Sequence, residues 1–344
     1  MATFGGTAVG YTYATGADPG GFISTKWIDD VIVTYRRALV LAERVKKIPF
    51  QGQKGDQIFL PSLTTRGSAS AKAENTLVTL VTRTDSEVSL ALNKHYEYSF
   101  VIEDRVSVQA LDSLLVQYME DAGYALAKQT DQDLWVAFAA MQGGAQFSGS
   151  VVGTDGATAW SGTANTNTGN ASALSDVGIR RVIQTLDDSD NPLTDRSLVI
   201  PPVERNNVMG IARYSEQAFV GSGATIRNGV IGNLYGVDVA VSSNCPYVHL
   251  DTGDGDDYFD FSSTTATTGT DATGTSVTIG AGGGVYGRVA AMFHKGAVAL
   301  AEQLDVRMQN QYKQEYLGTL HTADCLYGTA EVRDYGAVTI IVAD

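Results

Sequence analysis

The feature that most limits what this chain can fold into is a change of period at its centre. From Val88 through Leu90, Leu92, Tyr96 and Tyr98 to Phe100 every second residue is apolar, with Lys94 the one exception. Strict alternation of that kind predicts a half-buried β-strand, here on the order of 40 Å long. It runs straight into "EDRVSVQALDSLLVQYMEDAGYALAKQTDQDLWVAFAAMQ" (103–142), where Val108, Leu111, Leu115, Met119, Ala122, Leu126, Leu134, Phe138 and Met141 recur at helical spacing. With Ser107 as cap and Gly143-Gly144 as stop, this predicts a rod of roughly 50 Å. No heptad register persists along it, so the rod is expected to lie across a sheet rather than against a twin.

The flanks have different grammars. Residues 1–22 are rich in Gly, Thr and Ala without an apolar period, and read as an extended arm that orders only against something else. "STKWIDDVIVTYRRALVLAERVKKI" predicts a helix, with Ser24 and Thr25 as caps, Asp29 and Asp30 early and Lys46 and Lys47 late. It is apolar on several sides, so it is expected to pack against more than its own chain. "KGDQIFLPSL" (54–63) predicts a strand that Pro61 confines to an edge, and "TLVTLVTRT" (76–84) its return, together a long hairpin. Further on come a helix in "SALSDVGIRRVIQTLDDSDNP", a buried strand in "RSLVIPP" and a helix opening on proline in "PVERNNVMGIARY". "GRVAAMFHKGAVALAEQLDV" reads as strands on both sides of His294-Lys295-Gly296, and the whole as an α+β chain. Two Gly/Ser/Thr-rich stretches, 143–171 and 253–284, read as insertions.

Chemistry is harder to find. The segment "TIRNGVIGNLYGVDVAVSSNCP" (225–246) lacks the lysine and hydroxyl of a Walker loop, and its glycines precede a strand where a dinucleotide fingerprint opens a helix; turns are expected. No G-x-S-x-G occurs, and His321, Asp324 and Cys325 are too local in sequence for a catalytic triad. Four histidines without H-x-x-x-H spacing, and no C-x-x-C, argue against zinc. Asp254, Asp256, Asp257 and Asp260 place oxygen ligands around glycine as a Ca²⁺ loop would, but the EF-hand glycine and glutamate are missing, which favours a solvated acidic loop. No catalytic, cofactor-binding or metal residue is assigned. The cysteines, Cys245 and Cys325, read as small buried hydrophobes.

The net charge of −14 would repel a phosphate backbone, and no apolar run is long enough to span a bilayer. The first residues have neither the basic start nor the apolar core of a secretory signal, so synthesis inside the cell is expected. A long chain of 344 residues with an arm, a hairpin and a helix that cannot bury their own apolar faces is expected to bury them against copies of itself.

The order of these parts resembles the major capsid proteins of tailed bacteriophages, the Hong Kong 97 type. "KWIDDVIVTYRRALVLAERVKKIPFQGQKGDQIFLP" is similar to that family's N-terminal helix and its entry into the extended loop. "YSFVIEDRVSVQALDSLLVQYMEDAGYALAKQTDQDL" resembles its strand and spine helix. "SLVIPPVERNNVM" and "IRNGVIGNLYGVDVAVSSNCP" look like axial-domain elements, and "AAMFHKGAVALAEQLDVRMQ" like the return to the peripheral domain. The resemblance covers about residues 24–142 and 196–344.

It implies an α+β fold with an N-terminal arm and short helix at 1–48 and an extended loop at 49–94. The peripheral domain would take 95–145 and 300–344, and the axial domain 146–299, with the insertions at 146–171 and 253–284. It implies a coat protein, not an enzyme, that assembles as pentamers and hexamers into an icosahedral head around double-stranded DNA, without sequence-specific contacts, a membrane or a cofactor. Its place would be the virion, after assembly in the host cytoplasm. Partners would be copies of itself, a portal, a cement or decoration protein, and a separate scaffolding protein, since no charged helical prefix precedes the arm. Arg227 is a candidate contact to a neighbouring subunit. An encapsulin-like compartment shell shares the fold and is the alternative; an acyl-transfer hydrolase is the remote one.

Overall fold

In the computed structural model, the described residues are 39–52, 54–63, 69, 71–78, 80, 85–104, 112–139, 141, 149–160, 170–211, 232–250, 257–260, 268–270, 276–278 and 285–343. The arm, most of the first predicted helix, the cap Ser107 and the stop Gly143-Gly144 lie outside them.

The alternating segment is two strands, not one. β3 (Asp85–Ala91) ends at the buried Leu92, whose amide donates to Asp56 O at 2.8 Å, and β4 (Lys94–Glu103) begins at Lys94. The side chain that broke the alternation marks the break: Lys94 turns inward to a buried carboxylate, Asp133, at 3.2 Å. β3 pairs antiparallel with β2 (Gln57–Leu63) in a separate two-stranded ribbon. The return strand is therefore 85–91; of the stretch 76–84, the described residues 76–78 and 80 form no strand. Among the described residues they meet no partner strand or core to reward extension, and Leu77 is 96% and Leu80 88% exposed.

β4 is instead the edge of a four-stranded sheet in the order β1 (Lys46–Pro49), β14 (Val298–Lys313), β15 (Gly318–Glu331), β4. The predicted first helix stops early. It is described as α1 (Leu41–Arg44), and Lys46–Ile48, expected as its end, belongs with Pro49 to an extended strand that pairs parallel with Ala299–Glu302. Pro49 disfavours helix at the residue before it, and the ladder to β14 supplies the backbone partners a further turn would have given.

Across one face of this sheet lies α2 (Asp112–Ala139), as the lack of a heptad register predicted. Its Ala122, Leu126, Leu134, Trp135 and Phe138 are buried against Val298, Leu300, Ala323, Cys325 and Tyr327. The other face meets the base of the β2–β3 ribbon. Leu90 and Leu92 pack there on Ala299, Ala301 and Ala330.

The second sheet has ten strands. Its central strand β13 (Val285–His294) pairs along one edge with β9 (Tyr247–Leu250) and then β6 (Arg196–Ile200), and along the other with β16 (Ala337–Val342). "RSLVI" and "AVTIIV" are apolar without alternation because both faces are covered. On one face Val289, Ala291 and Phe293 meet the end of α2, with Phe293 and Phe138 rings 4.8 Å apart. On the other, Ala290, Met292, Ile340 and Val342 meet α3 (Asp176–Asp188) and α4 (Pro202–Met209). Ser175 caps α3 by accepting from Gly178 N, and proline opens α4, the latter as the sequence predicts.

The glycine stretch is a turn where it is described. β7 (Asn233–Leu234) and β8 (Val237–Val241) are joined by Tyr235 and Gly236, φ 52° and 85°, the two positive values a tight hairpin turn requires. Gly229 and Arg227 lie outside the described residues. The two "insertions" hold more structure than expected. β5 (Val151–Val152) pairs parallel with β16, and Trp160 is buried. β10 (Asp257–Asp260), β11 (Thr268–Thr270) and β12 (Ser276–Thr278) extend the large sheet beyond β9. Hydroxyl-rich sequence of low hydrophobicity still forms strands where an existing edge offers backbone partners.

Candidate assembly surfaces

No constellation for bond-making chemistry forms where the sequence was most suggestive. His321 and Cys325 share the α2-facing side of β15 but sit four residues apart on a strand, about 13 Å. Asp324 points to the opposite side. His321 stacks on Phe100, centroids 5.1 Å apart, and its Nδ1 is 2.9 Å from Asn310 Oδ1. Asp324 accepts two bonds from Arg307, both 2.9 Å, and lies 3.3 Å from His95 Nε2. The Arg307 hydrogen bonds hold its carboxyl below the usual carboxylate range. Cys325 and Cys245 are free and buried, and burial pushes both thiols up, away from nucleophilic thiolate. Asp257 and Asp260 belong to β10, while Asp254 and Asp256 lie outside the described residues. Among the described residues no three His, Cys, Asp or Glu converge on a metal position, and no helix is long and apolar enough to cross a membrane.

What the molecule does display is apolar surface on rigid supports. The far part of β14 and its turn into β15 expose Val306, Met308, Tyr312, Tyr316 and Leu317. Two register shifts, between Glu302 and Leu304 and between Leu304 and Arg307, each add a residue to β14, the kind of bulge that bends and twists a strand. Leu317 is fixed at φ 45°, its carbonyl accepting from Asp104 N at 2.9 Å, and Tyr312 donates its hydroxyl to Asp104 at 2.8 Å.

The ribbon is the second display. Its base is held where β15 passes beneath it: a Cβ added at Gly328 would stand 2.2 Å from Ala91 O, so only glycine permits the approach. Beyond the base, Phe59, Leu77, Val78 and Leu80 are exposed. A groove of about 1340 Å³ runs between Leu60, Pro61 and Val88 of the ribbon and Pro192, Lys295 and Tyr335 of the large-sheet loops. Leu193 and Tyr335 stand exposed at its rim. Arg196 locks that loop, donating to Pro192 O and Asn191 O at 2.8 Å and pairing with Asp187 at 2.6 Å.

Sequence reasoning found the ribbon but not the β14–β15 tip or the 189–195 loop. The signal for the tip was present in "DVRMQNQYKQEYLG", where Val306, Met308 and Tyr312 keep one parity among polar and charged residues just where the buried half of the strand ends.

Among the described residues these displays carry no metal or catalytic cluster, and an α+β body with exposed apolar projections is the form of a shell subunit. Comparison with known proteins agrees. The sequence matches the phage capsid protein family over residues 98–298, more than half its length, and the chain belongs to that family. No curated protein matches it significantly. Among solved structures, the capsid of cyanophage P-SCSP1u is similar with a TM-score of 0.66 at 17% identity, covering 100% of both chains. A structure from Mycobacterium phage Che8 gives 0.64 at 19% identity, over 93% of this chain and 97% of the other. The capsid of Ralstonia phage GP4 gives 0.61 at 14%, over 97% and 98%. The fold is the mixed α+β fold of Hong Kong 97-type phage capsids. The chain is a phage capsid protein, a structural component of the virion rather than an enzyme.

Proposed function

We propose that the subunit divides as an N-terminal arm with short helix (1–48), an extended loop (49–94), a peripheral domain (95–145 and 300–344) and an axial domain (146–299), the Gly/Ser/Thr-rich stretches 146–171 and 253–284 being additions to the last. In this reading the subunits form pentamers and hexamers of an icosahedral head around double-stranded DNA. A separate scaffolding protein guides assembly in the host cytoplasm, a portal occupies one vertex, and a cement protein has the exterior available. Its acidic charge keeps packed DNA from adhering to the wall.

The observation that carries this reading is the β2–β3 ribbon. It belongs to neither main sheet, is anchored at Gly328 and ends in leucines that no described residue of their own chain covers. Two isolated strands are marginal in water, so such a ribbon gains its stability from a second copy. The test is electron microscopy of the protein co-expressed with the adjacent reading frames of its genome. Uniform icosahedral particles are expected. A subunit that remains a monodisperse monomer with its scaffold present would overturn the reading.

A further inference from the structure

Asp131 is completely buried in the second half of α2, and its two oxygens serve different parts of the chain. Oδ1 accepts from Leu41 N at 3.1 Å, and Oδ2 accepts from Asn244 Nδ2 at 2.7 Å. Asn244, also fully buried, sits in the turn between β8 and β9. That turn is fixed from behind by Arg288 of β13, which donates to Ser243 O at 3.1 Å and Cys245 O at 2.9 Å and stacks over Tyr247. One carboxylate thus ties together three segments about 90 to 200 residues apart, one from each end of α2's surroundings.

The segment it holds cannot hold itself. α1 has four residues, too few to persist alone, and its N-cap Val40 offers no side-chain bond. Leu41 is buried, Val45 N closes the single turn on Leu41 O at 3.2 Å, and Arg44 pairs with Asp238 of β8 at 2.7 Å. Apart from this packing, the first backbone amide of the turn is fixed by Asp131. Burial raises the Asp131 carboxyl above its ordinary range while the Asn244 and backbone donors pull it down, so the position is polar by requirement, not by tolerance of the core.

We propose that Asp131, with Asn244 as its second half, is the latch that fixes where and in which direction the chain preceding Leu41 leaves the body. Asp131 is a positioning residue: it sets a common exit at the junction of the two sheets. The consequence that arms of neighbouring subunits then start from equivalent points rests on the reading of residues 1–48 given above; the latch does not.

The test is hydrogen exchange on the full-length subunit, read residue by residue by mass spectrometry. In the unaltered protein the Leu41 amide is expected to be protected to the level of α2. Asp131→Ala removes both acceptor oxygens and should speed Leu41 exchange at least about tenfold while β13 and β16 keep their protection. The swap Asp131→Asn with Asn244→Asp keeps a donor facing an acceptor and should hold Leu41 within about threefold of the original. An unprotected Leu41 in the unaltered protein overturns the latch, a measurement that stands even if the single variant does not fold. So does a loss spread evenly through both sheets, or a swap that leaves Leu41 unprotected. Deleting residues 2–20 tests the arm separately: failed shells with a protected Leu41 support both readings, and normal shells remove the arm and leave the latch.

Discussion

β14 is one strand in two environments. From Val298 to Ala301 it is buried, with α2 on one side and the ribbon base on the other; from Asp305 to Tyr312 every residue is exposed. The pairing partner, β15, continues alongside throughout, so backbone bonding does not separate the halves. Coverage does. The first half, "VALA", serves the interior of the subunit, and the second, "DVRMQNQY", serves whatever lies outside it. A capsid subunit has to be stable alone and incomplete alone, and this strand shows both demands met in sequence by a change of residue type at two bulges.

Mutations can break that contrast, beginning with the covered side. Phe293→Ala at the α2 contact should cost about 3–5 kcal/mol, seen as a lower denaturant midpoint of the unassembled subunit. Gly328→Ala, which drives a Cβ into Ala91 O, should cost about 1–3 kcal/mol and speed protease cleavage between residues 51 and 84 before the body unfolds.

A smaller effect is expected at Glu204. It is fully buried, accepting from Leu174 N at 2.8 Å and from Asn207 at 3.2 Å, and burial raises its carboxyl from 4.5. A raised acid favours the protonated fold. Its contribution is complete below the unfolded value and is lost as pH rises through the folded one. Glu204→Gln should therefore flatten the fall in melting temperature from pH 5 to pH 8. An unchanged pH slope would show that the carboxyl does not titrate with folding.

Least affected in stability is the exposed side. The double change Leu77→Ser and Leu80→Ser should move subunit stability by less than about 0.5 kcal/mol yet prevent shells, as counted in micrographs. Unchanged shells would show that the ribbon's apolar end is not part of a contact.

Much of the fold is legible in the sequence because the periods are clean. The α2 stripe through Ala122, Leu126, Leu134 and Phe138, the unalternating "RSLVI" and the proline-led α4 all sit where their residue types place them. The misreadings share a cause. Val88–Phe100 alternates straight through a break, because both strands bury the same parity and only Lys94, drawn to Asp133, marks the change of sheet. Lys46–Pro49 looks like a helix end because its parallel partner lies some 250 residues away. The assembly surfaces were half legible: exposed leucines in the ribbon are visible as apolar residues, but exposure itself depends on what fails to cover them.

The parallel pairing of β1 with β14 has a temporal side. Lys46 meets Ala299, and Lys94 meets Tyr327 of β15, so all three pairings in the small sheet use a strand that lies between residues 298 and 331. During synthesis that sheet cannot close until residues 298–331 have left the ribosome, and contacts of such long range form late in any folding reaction. The ribbon base and the β14–β15 tip are both built on this sheet. A nascent chain therefore lacks the platform that presents them, and subunits still being translated on one messenger are spared from joining their neighbours before each is complete.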